Sequence, residues 1–293
     1  MRIATFSAGG RRGVGLVSAD GTAITPLVPT PGQAETGALA LVQAVSNGAR
    51  FPDLDGESLA LESVKLEAPL PKPLRNLWCV GRNYHAHARE LAASVFKNND
   101  ANPESWPIVF TKVPECVVGP HDEVRLPGAV SSQIDYEAEL AVVIGKGGRY
   151  IARTEAWGHI AGYACYNEGS VRDYQRHTHQ FTPGKNFPAT GGFGPYLVTT
   201  DEVGDISGLR LQTRLNGEVV QDTTIDQMIF DIPRQIEYCS QFTRLEPGDV
   251  IATGTPGGVG SRRTPPIWMK AGDVVEVEID KVGLLRNGIA DEA

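Results

Sequence analysis

Glu137 and Glu139 stand one residue apart in a stretch that is otherwise mostly apolar. The segment Asp135–Gly145 (DYEAELAVVIG) alternates polar and apolar residues at its start and is bounded by Gly, as a β-strand is. Side chains alternate across a strand, so Tyr136, Ala138, Leu140, Val142 and Ile144 share one face. Glu137 and Glu139 share the other, with Cβ atoms roughly 6–7 Å apart. Two carboxylates at that spacing repel each other unless a cation lies between them. Oxygen-only ligation suits Mg²⁺, Mn²⁺ or Ca²⁺. The alternative is a solvated strand face, since E-x-E is a common pattern.

Three further groups could do chemistry. His87 and Glu90 are three apart and can share one helical turn. A carboxylate beside an imidazole fixes its tautomer and raises its basicity, which suits a general base acting on water. A lone His is otherwise structural. The segment Thr253–Gly260 (TGTPGGVG) is Gly-rich but lacks the Gly-Lys-Ser/Thr of a P-loop. Its N–H groups and the hydroxyls of Thr253 and Thr255 can hold a carboxylate, or it is a plain tight turn. His177-Thr178-His179 invites a zinc reading, but no third ligand lies at suitable spacing. A surface loop or a substrate-specificity loop fits it better.

The elements that must position these groups read mostly as β. Residues 1 to about 65 form a small β-rich module, with short strands at Ile3–Phe6 and Val14–Val17 and a helix over 35–48. Ala68–Pro73 is a Pro-rich linker, extended because residues before Pro avoid the α region. Further on, Asp231 can cap a helix with Pro233 in its first turn, and Ile232, Ile236 and Cys239 then share a face. Strands and helices mix without βαβ alternation, which disfavours Rossmann and TIM architectures.

At 293 residues the chain can bury one large core, or a large and a small one. No run of about 18 apolar residues reads as a membrane span, and Met1–Phe6 lacks a signal peptide's apolar stretch. Four scattered cysteines without a C-x-x-C read as reduced thiols of a cytoplasmic protein. A formal charge of −8 argues against nucleic acid as a partner. It does not exclude a small anionic substrate, because a local cation reverses the field inside a pocket.

Five motifs in order carry a resemblance. They are Gly81–Glu90 (GRNYHAHARE), the Glu137/Glu139 pair, Asn167–Gln175 (NEGSVRDYQ), Gly184–Phe187 (GKNF) and Thr253–Gly260, with Gln227–Pro233 and Leu245–Asp249 in support. Together they resemble the fumarylacetoacetate hydrolase superfamily, in its acylpyruvase and hydroxymuconate isomerase–decarboxylase branch, over about residues 72–282. The resemblance implies an α+β, mostly β fold: a mixed β-roll or sandwich-like catalytic domain over 71–293, after a small N-terminal β-rich domain and linker over 1–70. It implies Glu137, Glu139 and Glu168 as ligands of Mg²⁺ or Mn²⁺, with Ca²⁺ possible in vitro. Glu168 stands where the family usually has Asp. Its carboxylate reaches one methylene further, and Gly169 would let the backbone retreat.

The resemblance also implies roles for the remaining motif residues. His87 and Glu90 would lie on a lid, over about 88–103, that orders on substrate. Lys185 would project into the site. Arg82, Tyr84, Lys112, Arg172, Gln175, Thr253, Gly254 and Thr255 would bind substrate, although Arg172 could instead pair with Asp173, which organises its loop. Loops 91–105 and 176–183 would shape the pocket. The first functional reading is a metal-dependent hydrolase of a C–C bond in an acylpyruvate or other 1,3-diketo acid. His87, assisted by Glu90, would activate water, and the metal with Lys185 would stabilise the enolate left behind. The alternative is a decarboxylase or isomerase of unsaturated 2-oxo or 2-hydroxy diacids from aromatic catabolism, at the same site and without water attack. A non-enzymatic metal-binding protein comes third. The expected partners are a small anionic 2-oxo acid and a second copy of the chain in a homodimer, with no nucleic acid and no membrane.

Overall fold

Strand Ala138–Ile144 is buried along its whole length, and the architecture follows from covering both its faces. In this computed structural model, which describes residues 1–92 and 106–292, the fold is α+β and mostly β. One face of the strand, with Ala138, Leu140, Val142 and Ile144, packs into a core shared with Leu211, Val277 and Ile279 of a five-stranded sheet. The other face, with Ala141 and Val143, packs with Leu39, Leu70 and Phe193. The alternation read from the sequence is therefore present, but both faces are covered. That is why the strand continues as an unbroken apolar run beyond Glu139.

The covering layer on the second face comes from the N-terminal segment. Strand Arg2–Ala8 pairs antiparallel with strand Gly191–Thr199, with Arg2 opposite Val198, and so extends a sheet that has twelve strands among the described residues. Helix Ala38–Ser46, within the span expected to be helical, buries Leu39, Leu41 and Val42. The Pro-rich stretch expected as a linker is packed rather than exposed, with Leu70 fully buried in the same core. Thr5 joins the two parts: its Oγ1 donates to Pro69 O at 2.7 Å and accepts from Ala38 N at 2.9 Å.

Two more elements follow their local signals. Asp231 caps helix Ile232–Phe242 by accepting from Arg234 N, and Ile232, Ile236 and Cys239 are buried on its inner face. Strand Val250–Ala252 pairs with Ala141–Val143 and delivers the Gly-rich loop to the end of the Ala138–Ile144 strand. The expected lid falls mostly within 93–105 and lies outside the described residues. Among the described residues no helix is long and apolar enough to cross a membrane.

Thr5 is fully buried, so Thr5→Val removes two hydrogen bonds from this joint and leaves only the 3.2 Å bond from Ala38 N to Pro69 O. The expected cost is about 1–3 kcal/mol. Urea unfolding should show a lower midpoint for the whole chain in a single transition. A separate early transition of residues 1–66 would mean that the N-terminal strands fold independently of the sheet they extend.

Candidate active site

Strand register creates the site. Ala138 lies opposite Asn167 and Glu139 opposite Tyr166 in the antiparallel pairing with strand Ile160–Glu168. One step further along, Glu168 N donates to Glu137 O at 2.8 Å, which sets Glu168 across from Glu137 on the same face. Ligand oxygens of Glu137, Glu139 and Glu168 lie within 4.8 Å of one another, the one such cluster among the described residues. The three side chains are 3%, 2% and 1% exposed, so water does not screen their repulsion.

Each carboxylate has a different set of partners. Glu137 accepts from Lys185 Nζ at 2.5 Å and pairs with Arg172 NH2 at 2.7 Å. Burial raises its pKa, but the charges of Arg172 and Lys185 outweigh that and hold it far below the usual carboxylate range. Glu168 takes a second bond from Lys185 at 2.7 Å. Burial nonetheless leaves Glu168 raised, against the pull of Lys185. Glu139 is pushed well above the ordinary range, by burial first and then by the charges of Glu168 and Glu137. Gly254 N donates to it at 2.8 Å. Gly254 has φ +103°, and a Cβ there would lie 2.6 Å from Asn83 Cβ, so only glycine brings this N–H so close.

The cluster fits a divalent cation. It offers oxygen donors only, and Glu168 Oε1 is buried with no hydrogen-bond partner. Lys185, with Arg172 shared between Glu137 and Asp135, does not balance the carboxylates, and a cation would lower the pKa of the two that are raised. The longer reach of Glu168 does not come from an unusual conformation at Gly169. Gly169 is needed because a Cβ would run into the Thr190 carbonyl.

These carboxylates floor a cavity of about 740 Å³. His87, on helix His85–Ala92, lines it. His87 Nδ1 lies 3.3 Å from Glu90 Oε2, and Gly258 N donates to Glu90 Oε1 at 2.7 Å. The Gly-rich loop thus fixes the acid that orients the histidine. Burial raises the Glu90 pKa, but the His87 and Gly258 hydrogen bonds outweigh it and the net shift is downward. Lys185 Nζ sits 5.0 Å from the centre of the Phe110 ring on the cavity wall. Arg82, Gln175 and Thr255 line the same space.

Other predicted residues occupy different positions. Arg172 pairs with Asp135 at 2.8 Å and with Glu137, not with Asp173. Asp173 does organise its loop, accepting from Ser131 Oγ and Tyr174 N. Tyr84 is buried in the apolar core with its hydroxyl unpartnered, away from the cavity wall. Lys112 is fully buried and donates to Gly169 O at 2.9 Å and to Lys185 O. It ties the Glu168 turn to the Lys185 turn and does not line the cavity. Thr253 Oγ1 donates to Leu140 O at 2.9 Å, while Thr255 Oγ1 accepts from Gln221 at 2.9 Å.

Sequence reasoning missed Asp135, which is fully buried. Its carboxylate accepts from Arg172 Nε, Gly260 N and Ser261 N. The signal was present: Asp135, Glu137 and Glu139 share one parity along the chain. It also missed Gln221, which bonds Ala138 N, Thr213, Thr255 and Pro256 O across two sheets. No local pattern marks a glutamine of that kind.

The match to the family model for the fumarylacetoacetate (FAA) hydrolase C-terminal region, over residues 76–290, decides the lineage. The chain belongs to the fumarylacetoacetate hydrolase family. Among its relatives is oxaloacetate tautomerase YisK of Bacillus subtilis, 44% identical over 230 residues, which cover 78% of this chain and 74% of that one. A solved fumarylacetoacetate hydrolase from psychrophilic Exiguobacterium antarcticum superposes with TM-score 0.84 at 33% identity over the whole of both chains. A maleylpyruvate hydrolase from Sphingobium sp. SYK-6, solved with manganese(II) and pyruvate, superposes with TM-score 0.76 at 29% identity, again over both whole chains.

Removing one carboxylate tests the cluster as a metal site. Glu137→Ala and Glu139→Ala should each abolish Mg²⁺ and Mn²⁺ binding by calorimetry while circular dichroism stays native, because too few charged oxygens remain for a hard cation. Unchanged affinity in either variant would rule the cluster out. Glu168→Asp should retain metal or bind it more tightly.

Proposed function

We propose that the protein interconverts the keto and enol forms of a four-carbon 2-oxo dicarboxylate of the oxaloacetate class. It would use Mg²⁺ or Mn²⁺ at Glu137, Glu139 and Glu168. The observation that carries this reading is the 44% identity to an oxaloacetate tautomerase over most of both chains. A cavity floored by carboxylates and Lys185, with a His–Glu pair beside them, supports it. This is the isomerase alternative of the sequence reading. It takes precedence over hydrolysis of acylpyruvates, because the relative that matches at 44% identity is a tautomerase.

A cation at the triad would act as a Lewis acid that polarises the 2-oxo group. The rest falls to the chain's own residues. Glu90 would accept from the Nδ1–H of His87, leaving the Nε2 lone pair free to take a proton. Nε2 removes a proton from C3, the C–H electron pair becomes the C2–C3 double bond, and the carbonyl pair moves onto O2. Return of that proton to O2 completes the enol. The pull of burial on Lys185 is outweighed by Glu137 and Glu168, which keep it protonated. It stabilises the negative charge that grows on O2.

A second reading keeps C–C hydrolysis, with the same His–Glu pair activating water. It is favoured by the shared fold of the maleylpyruvate hydrolase. For either reaction we propose a cytoplasmic homodimer. The four cysteines are buried and unpaired, as suits a reducing compartment, and the dimer rests on the family resemblance.

Loss of the enol's ultraviolet absorbance follows tautomerisation directly. With Mg²⁺ present the protein should accelerate it, and His87→Ala should cut the rate by about 10²-fold or more, the usual worth of a positioned base. Lys185→Met should also slow it, and a chelator should abolish it. Acylpyruvate cleavage assayed in parallel decides the rival: a wild type that cleaves but does not tautomerise is a hydrolase.

A further inference from the structure

Arg172 is buried, and its guanidinium is divided among three partners. Nε donates to Asp135 Oδ2 at 2.8 Å, and Nη1 donates to Gln175 Oε1 at 2.9 Å. Nη2 lies 2.7 Å from Glu137 Oε1, but its N–H bonds are not aligned on that oxygen. The edge carrying Nε and Nη2 is one with which arginine grips both oxygens of a carboxylate. Here that edge is split between two acids, and Asp135 has the better-aligned share. Asp135 is placed to keep it. It is fully buried, and it accepts from Gly260 N at 2.8 Å and Ser261 N at 2.9 Å in the turn Gly260–Arg262. A Cβ at Gly260 would lie 2.8 Å from Asp135 Oδ1 and 2.1 Å from Ile267 O, so only glycine brings this turn so close. Backbone register fixes the other side. Asp135 lies opposite Ser170, and Arg172 N donates to Gln133 O at 2.8 Å. The charges of Glu137 and Asp135 outweigh the pull of burial and keep Arg172 protonated. Lys185 Nζ meanwhile donates to Glu137 Oε2 at 2.5 Å, so the two cations sit on different oxygens of Glu137.

We propose that Asp135 is a positioning residue for the metal centre: by holding Nε of Arg172 it prevents a two-point grip on Glu137 and keeps that carboxylate able to ligate a divalent cation. The inference rests on reading the three carboxylates as a metal site and is independent of the reaction assigned to it. With Nε released, the Nε–Nη2 edge can turn onto Glu137 and take both of its oxygens beside Lys185. A cation would then have to displace aligned, charge-assisted hydrogen bonds instead of a single unaligned contact.

Calorimetric titration of the full chain with Mn²⁺ tests this. Asp135→Asn keeps the shape of the side chain and removes its charge. It should weaken Mn²⁺ binding about tenfold or more, the worth of one charge-assisted hydrogen bond. Arg172→Met keeps all three carboxylates. In that background most of the loss should disappear, because no guanidinium remains to close on Glu137. Unchanged affinity in Asp135→Asn overturns the proposal. So does an equal loss in both backgrounds, which would mean that Asp135 acts through its charge or through the fold. A measurement on the wild type covers an Asp135→Asn chain that does not fold. The Arg172 Nε–H signal in nitrogen-15 spectra, assigned by its absence from Arg172→Met, should exchange slowly with solvent both without and with Mg²⁺. Fast exchange in either state means that Asp135 does not hold it and overturns the proposal. A wild type that binds neither Mn²⁺ nor Mg²⁺ rejects the metal reading itself, whereas binding that ignores Asp135→Asn rejects only the positioning role.

Discussion

Three carboxylates buried side by side at the end of one strand pair are the constraint around which the rest of the structure is arranged. Like charges out of water are tolerated only when opposite charge and hydrogen bonds surround them. Lys185 bridges Glu137 and Glu168, Arg172 backs Glu137, and the Gly254 amide caps Glu139. Those partners still leave two of the three raised toward protonation and one oxygen of Glu168 unpartnered. A hard cation removes that deficit, which is the physical reason for reading the cluster as a metal centre.

The supporting residues keep the charged groups from rearranging. Lys112 buries its ammonium against the carbonyls of Gly169 and Lys185, so one side chain sets the spacing of a ligand turn and a cationic turn. Asp135 does the same for Arg172 and the Gly260–Arg262 turn. Gln221 ties the strand of Ala138 to the Gly-rich loop from the neighbouring sheet. The chemistry sits at the end of a rigid sheet, and loops supply only the groups that meet the substrate.

Local patterns in the sequence carried far. The parity of Glu137 and Glu139, the spacing of His87 and Glu90, and the cap at Asp231 each depend on a few adjacent residues and need no partner from elsewhere. The family resemblance added Glu168 and Lys185, which no local rule links to the strand pair. The burial of both strand faces was not legible. Alternating Glu137 and Glu139 look like a solvated edge until Lys185, Arg172 and the Gly254 turn are seen to meet them, with helix Ala38–Ser46 packed on Ala141 and Val143 further along the same face.

Side-chain type and spacing along the chain determined which groups are available: the carboxylates, the His–Glu pair, the lysines and the glycine loop. The tertiary structure decided which of them meet. Register set Glu168 opposite Glu137, and close packing at Gly254 gave Glu139 its donor. Arg172 found Asp135 rather than its neighbour Asp173, because consecutive residues on a turn diverge while the paired strands converge. Tyr84 and Lys112, alike in motif to residues at the site, went into the interior, where packing and carbonyl oxygens offered what the cavity did not. A long-range contact depends on the whole chain's closure, and no short stretch of sequence encodes it.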